Sequence, residues 1–193
     1  MLGDTVIARG DYSGPEGSRL VVRHPDVEVA VLETARGGIL RRGLAVTPVD
    51  VAVITNVAAD HLGEHGVHDV DAMAAVKAVV ARTAKVLVLG ADDARLAAHG
   101  WPPAARVIWF GLDAAAPHVV AHVAAGGEAY VATVDGWLAR LGGTEPARLV
   151  AIADVPVALG GLAPHNLRNA LAAAALARSL GATDATISAT LRS

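Results

Sequence analysis

Residues Val51 to His68 read VAVITNVAADHLGEHGVH, and the parsing of this run decides the fold. Val51 to Ile54 are apolar without alternation, as expected for a strand covered on both faces. The run turns polar at Thr55-Asn56, and Asp60-His61 follow shortly after. A buried strand that delivers polar groups at its carboxyl end points to an open parallel α/β sheet, where ligands gather along that edge.

The neighbouring sequence repeats the pattern. Strands are predicted at Glu28–Glu33, Asp50–Thr55, Lys85–Leu89 and Arg106–Phe110, alternating with helix-period segments, which is the order of a parallel sheet with crossover helices. Between the second and third lies DVDAMAAVKAVVARTA, where Asp69 or Asp71 caps a helix and Ala72, Val76, Val79 and Val80 form the buried stripe. After Gly111 the texture changes. PHVVAHVAAGGEAYVATVDGWLARL has two β-rich runs around AAGGE, a hairpin signal, and RLVAIADVPVALGG offers two more short strands. These predict a small antiparallel sheet beside the parallel one. The chain closes with APHNLRNALAAAALARSLGA, a long helix with Gly181 as its C-terminal cap, and a final short helix from Thr183 or Asp184.

Composition narrows the class. The 193 residues suffice for one ordinary core, 53% apolar and only 3% aromatic, so packing relies on Val, Leu, Ile and Ala. A net charge of −3 and a pI near 6.2 leave no electrostatic footprint for nucleic acid. The absence of cysteine removes disulfides and thiolate metal sites. No apolar run of 18 residues free of charge or turn residues exists, and the N-terminus lacks signal-peptide character, so a soluble, cytoplasmic protein is expected.

Four features carry possible chemistry. Glu33 ends the strand in VAVLETARGGILRRGL, Val29 to Leu44, ahead of an Arg36-Gly37-Gly38 turn. Its carboxylate could cap a helix, reach a metal or phosphate, or face water. Asp60 and His61 form a second candidate, since imidazole with a carboxylate to orient it suits a divalent metal. His61 and His65 have the four-residue spacing of zinc ligands on one helix face, but Gly63 and Gly66 interrupt that stretch. Lys77 is one of only two lysines. An amine, unlike a guanidinium, can lose its proton and react with a carbonyl carbon or carbon dioxide; the plain alternative is a solvated helix face. In HNLRNAL, Asn166 and Asn169 share one helix face. An amide can pair with the edge of adenine, though a capping role also accounts for Asn166.

In chain order, ETARGGILRRGL, DVAVITNVAADHLG, the lysine-bearing helix and HNLRNALAAAA resemble the central domain of the Mur ligase family, most closely its cyanophycin-synthetase-type branch. The stretch GDYSGPEGSRLVV also looks like that branch. The resemblance implies a P-loop-NTPase-like α/β fold: a mostly parallel sheet over residues 1–111, a small antiparallel subsheet over 112–162 and C-terminal helices over 163–193. It further implies an ATP-dependent carboxylate–amine ligase that works through an acyl phosphate, with ATP and Mg2+ as cofactors and an amino-acid or peptide-like substrate. Glu33 and His61 match the family's magnesium residues. Thr55, Asn56, Asp60, Asn166 and Asn169 match its ATP-binding positions. Lys77 falls near a carbamylated lysine of many relatives, and Arg36, Gly37 and Gly38 fall on the substrate or phosphate side.

One family hallmark is missing. No G-x-x-x-x-G-K-[ST] run occurs, and neither lysine follows a glycine. The chain is therefore expected to lack the first strand and phosphate loop, and to stop where the family's C-terminal domain begins. Little ligase activity is expected from it alone, and a separately encoded phosphate-loop or C-terminal piece is an expected partner. The alternatives are a noncatalytic nucleotide- or partner-binding module and, below that, a small metal-dependent hydrolase built on Asp60, His61 and His65.

Overall fold

The computed structural model describes residues 3–10, 12, 14–59, 62–143 and 145–193. The chain divides into two compact units, residues 1–49 with 59–83 and residues 50–58 with 84–193.

The regular elements of the first unit are helical. Helix α1 (Pro15–Val22) starts on a proline whose fixed φ suits a first turn, with Glu16 favouring the positive helix end. Gly17 lets it lie against Tyr12, because a Cβ there would sit 2.1 Å from the Tyr12 carbonyl oxygen. Helix α2 (Arg36–Arg42) corrects the expected Arg-Gly-Gly turn: all three residues lie in its first turn. Gly38 faces the start of α1, where a Cβ would meet the Pro15 ring at an ordinary contact distance of 3.5 Å. Helix α3 (Val70–Lys77) is capped by Asp69, whose Oδ1 accepts the Ala72 N–H at 2.7 Å. It runs into a 3-10 turn, Ala78–Thr83. Met73, Ala74, Ala78 and Ala81 are buried, whereas Ala72, Val76, Val79 and Val80 are only half-buried. The tightening to about three residues per turn shifts the buried face away from the expected stripe.

Glu28–Glu33 is not a strand. A strand needs a partner for its backbone N–H and C=O groups, and the regular elements around it are helices. Val29 and Val31, on one face of the expected strand, are 63% and 76% exposed.

The second unit contains a six-stranded sheet in sequential order: β1 (Val49–Ile54), β2 (Ala84–Gly90), β3 (Arg106–Gly111), β4 (Glu128–Ala132), β5 (Trp137–Gly142) and β6 (Ala147–Ala151). The expected strands at 50–55, 85–89 and 106–110 coincide with β1 to β3. Lys85 Nζ reaches Asp50 at 2.7 Å at one end of the β1–β2 pair, and Gly90 abuts the Thr55 carbonyl at the other. The two strands therefore run the same way. Strand β2 pairs parallel with β3 (Leu87 beside Val107), and β3 pairs parallel with β4 (Phe110 beside Tyr130). Strands β5 and β6 then extend the same sheet antiparallel.

Two assignments after Gly111 change. Residues 117–124 form a helix rather than the first arm of a hairpin. A parallel β3–β4 pair requires a crossover, and Pro117 starts a turn in which Val119, His122 and Val123 share the inner face. By chain order the crossover helices of the β2–β3 and β3–β4 pairs are α4 (Ala94–Ala98) and α5 (Pro117–Ala124). The hairpin is instead β4–β5, where Gly136 has φ +84° and the Thr133 hydroxyl accepts the Trp137 N–H at 3.1 Å. Only one of the two strands expected in RLVAIADVPVALGG forms. The rest makes 3-10 turns over Ile152–Asp154 and Pro156–Gly161, since Pro156 has no N–H to give a ladder.

Helix α6 (Pro164–Ser179) lies across β2, β3 and β4, burying Leu167, Leu171, Ala174 and Ala175 against Val88, Ile108, Phe110 and Tyr130. It ends at Gly181, φ +97°, with paired bonds Gly181 N–H to Arg178 O and Ala182 N–H to Ala177 O, each 3.0 Å. Helix α7 (Asp184–Leu191) follows, capped by Thr183. Among the described residues no helix is long and apolar enough to cross a membrane.

The β1–β2 contact depends on Gly90, where a Cβ would stand 2.1 Å from the Thr55 carbonyl oxygen. Gly90→Ala is expected to destabilise the fold by about 1–3 kcal/mol, read as a lower midpoint in urea. Gly100→Ala, with nothing within 4 Å of its Cβ, is expected to leave the midpoint nearly unchanged.

Candidate functional site

Because β1, β2 and β3 run the same way, their carboxyl ends share one edge, and the loops leaving that edge form the candidate site of the second unit. Thr55 and Asn56 follow β1 directly and are exposed. The next residue, Val57, is buried, and its N–H donates to Asp93 Oδ2 at 2.6 Å. The other oxygen of Asp93 accepts the N–H groups of Arg95 (2.9 Å) and Leu96 (3.2 Å) and so caps α4. One carboxylate thus fixes the exit of β1 to the exit of β2.

Its neighbour Asp92 performs the equivalent task toward β3 and α6. It accepts the Leu112 N–H at 3.1 and 3.2 Å and the Arg168 Nε–H at 2.6 Å. Gly111 leaves the room, since a Cβ there would be 2.7 Å from Asp92 Oδ1. Asp92, Asp93 and Arg168 were not singled out by sequence. The available signal was the pair of aspartates between an apolar strand and an Ala-rich segment, a helix-start pattern; the partner 76 residues away carries no local signal.

The Asp92–Arg168 pair ties the start of α6, which carries Asn166 and Asn169, to the loop that follows β2. The two asparagines differ in availability. Asn166 Nδ2 donates to the Val157 carbonyl at 2.6 Å and braces the preceding 3-10 turn. Asn169 is exposed, and its side chain makes no hydrogen bond to another described residue. Its amide can offer a donor and an acceptor together, as base-edge pairing requires.

In the first unit, Glu33 is exposed and lines a cleft of about 220 Å³ with Tyr12, Ser18, Val21, Val31 and Leu32 among others. Among the described lining residues it is the one carboxylate. Arg36 is 12% exposed and bonds Glu64 Oε2 at 2.7 Å, which ties the first turn of α2 to the 62–68 turn. Lys77 is half-buried and is the last residue of α3. Residues 62–68 are turns and His65 has φ +52°, so His65 does not lie on a helix face. Asp60 and His61 lie outside the described residues. Among the described residues no group of three His, Cys, Asp or Glu could hold a metal.

Comparison with known proteins covers most of the chain. The family model described as the Mur ligase middle domain matches residues 18–177. Cyanophycin synthetase of a Nostoc species is 40% identical over 175 residues, 89% of this chain and 19% of that protein. The cyanophycin synthetase of a Synechocystis species is also 40% identical over 175 residues, covering 20% of its length. UDP-N-acetylmuramoylalanine–D-glutamate ligase of Thermobifida fusca is 38% identical over 134 residues, 67% of this chain and 26% of that protein. The chain thus spans about one-fifth of the cyanophycin synthetases it matches.

The sheet edge itself is testable. Asp93→Ala removes the α4 cap and the acceptor of a buried N–H, so a loss of about 1–3 kcal/mol is expected. Amide hydrogen exchange at Val57 is expected to accelerate in this variant, with exchange in the core of β3 following only the global loss.

Proposed function

We propose that this chain, which belongs to the Mur ligase family, supplies the nucleotide-binding part of an ATP-dependent carboxylate–amine ligase. The observation that supports the reading is the Asp92–Arg168 ion pair, which ties the first turns of α6 to the carboxyl edge of the parallel strands, inside the region matched to the family. That edge is where open α/β sheets take their ligands. In the proposed reaction a substrate carboxylate oxygen takes the γ-phosphoryl of ATP, giving an acyl phosphate and ADP. An amine then attacks the acyl carbon, phosphate leaves, and the amine loses a proton as the amide forms. The carboxylate donor is proposed to be an amino acid or peptide-like molecule.

This chain's residues divide the task. Asn169, with Asn166 beside it, is proposed to recognise the adenine edge, and Thr55, Asn56 and Asp60 are the further proposed ATP-binding residues. Glu33 and His61 would hold magnesium, and Lys77 is the proposed catalytic residue, on which a carbamate would add an oxygen donor. The Glu33 carboxylate suits the ion, since magnesium takes one or two carboxylates and completes its shell with water and phosphate oxygens, whereas an imidazole nitrogen is a softer donor than it usually takes. Bound there, it would neutralise charge on the transferring phosphoryl group. Arg36, Gly37 and Gly38 shape the substrate or phosphate side by fixing the start of α2.

A second reading is a noncatalytic nucleotide- or partner-binding module. It is favoured by the absence of a G-x-x-x-x-G-K-[ST] run, whose backbone donors and lysine hold the β- and γ-phosphates. For this reason residues 1–193 by themselves are proposed to turn over little.

Calorimetric titration with ATP, with and without magnesium, tests the site. Magnesium-dependent binding is expected, and Glu33→Ala or His61→Ala is expected to weaken it at least about tenfold, the order of one lost charged contact. Unchanged binding in both variants rejects the metal assignment. Zinc in the purified protein that disappears with His65→Ala would instead support a metal-dependent hydrolase.

A further inference from the structure

We propose that Arg168, through Asp92, is a positioning and specificity-determining residue of the nucleotide site: it fixes the first turns of α6 so that the Asn169 amide meets one base edge in one orientation. The proposal rests on the nucleotide reading above and adds a residue to it.

Helix α6 begins without a side-chain cap, because Ala163 occupies that position. Its first turns are therefore held from the sides. The inner face is held by Leu167 and Leu171, which are 5% and 0% exposed. That packing anchors the helix axis, but apolar contact is non-directional, and polar contacts add a directional constraint at the first turns. Two polar braces act on that face. Asn166 Nδ2 holds the Val157 carbonyl at 2.6 Å, and Arg168 Nε holds Asp92 Oδ2 at 2.6 Å. Only the second ties the helix to the strand edge.

Asp92 is itself immobilised before Arg168 arrives, through the Leu112 N–H and the space left by Gly111. The guanidinium therefore meets a fixed acceptor rather than a swinging one. Asn169 is the next residue along the helix, so a change in how Arg168 sits is passed directly to its amide. Recognition of a base edge by one donor and one acceptor tolerates little misplacement, because both bonds must form at about 2.9–3.0 Å together. Adenine presents a donor and an acceptor to such an amide, whereas guanine presents two acceptors on its N7 and O6 edge. Arg168 thus bears on the choice between the two bases.

The pair is partly open to water, with side-chain exposures of 40% and 25%. Exposed ion pairs contribute little to global stability, which separates positioning from folding in an experiment. The full chain is titrated with Mg-ATP and Mg-GTP, and thermal midpoints are recorded in parallel. Arg168→Ala is expected to weaken ATP binding about tenfold, as for one misaligned polar contact. It is expected to lower the ATP-to-GTP affinity ratio by a similar factor, with the midpoint within about 2 °C of the parent. Asp92→Asn keeps an acceptor for the Leu112 N–H but loses the charge, and is expected to have the same effect. The double variant is expected to be no worse than either single one, since both break one interaction. Arg168→Lys, lacking the planar fork, is expected to recover only part of the ratio.

If Asn169→Ala lowers the ratio while Arg168→Ala leaves it unchanged, the positioning role is wrong and the nucleotide reading stands. If Asn169→Ala leaves the ratio unchanged as well, the nucleotide reading fails and the positioning role falls with it.

Discussion

Two adjacent carboxylates at the end of β2 hold the carboxyl edge of the sheet together. A parallel sheet ends its strands in separate loops, and nothing in the ladder itself fixes those loops relative to each other. Asp93 binds the exit of β1 and the start of α4; Asp92 binds the exit of β3 and the start of α6. An aspartate suits the task because its short stem costs little rotamer entropy and its two oxygens accept several N–H groups at once. The glycines on either side make the arrangement sterically feasible: Gly90 admits the Thr55 carbonyl and Gly111 admits the Asp92 carboxylate. Polar residues offered at this edge, Thr55, Asn56 and Asn169, inherit their placement from those bonds.

Much of this was legible in the sequence, and the failures have physical causes. Strands β1 to β3 were readable because unalternating Val, Leu and Ile between turn residues has few other uses in a parallel α/β protein. The α6 terminus was readable because Gly181 must adopt a positive φ there. Short apolar runs are ambiguous by pattern alone, so residues 117–124 looked like a strand, although Val119, His122 and Val123 have helical spacing. Glu28–Glu33 has strand composition, yet a strand is a relation between two segments. That segment forms no ladder, and Val29 and Val31 stay exposed.

The candidate site divides along the same line. Thr55, Asn56, Asn166 and Asn169 could be picked out because their positions at a strand end and a helix start announce them. Asp92 and Asp93 looked like turn residues, and Arg168 looked like one more solvated arginine between two more interesting asparagines. Their importance lies in contacts across 36 and 76 residues, which local patterning does not encode. The different duties of Asn166 and Asn169 were equally hidden, since only the fold brings the Val157 carbonyl to the first of them.

The edge organised by Asp92 and Asp93 is proposed to receive an adenine nucleotide. A crystal structure of the chain with magnesium and a non-hydrolysable ATP analogue tests it most directly. The expected result is the base within about 3 Å of the Asn169 amide nitrogen and oxygen, beside the Asp92–Arg168 pair. A nucleotide seated at the opposite end of the strands, with Asn169 untouched, would contradict it.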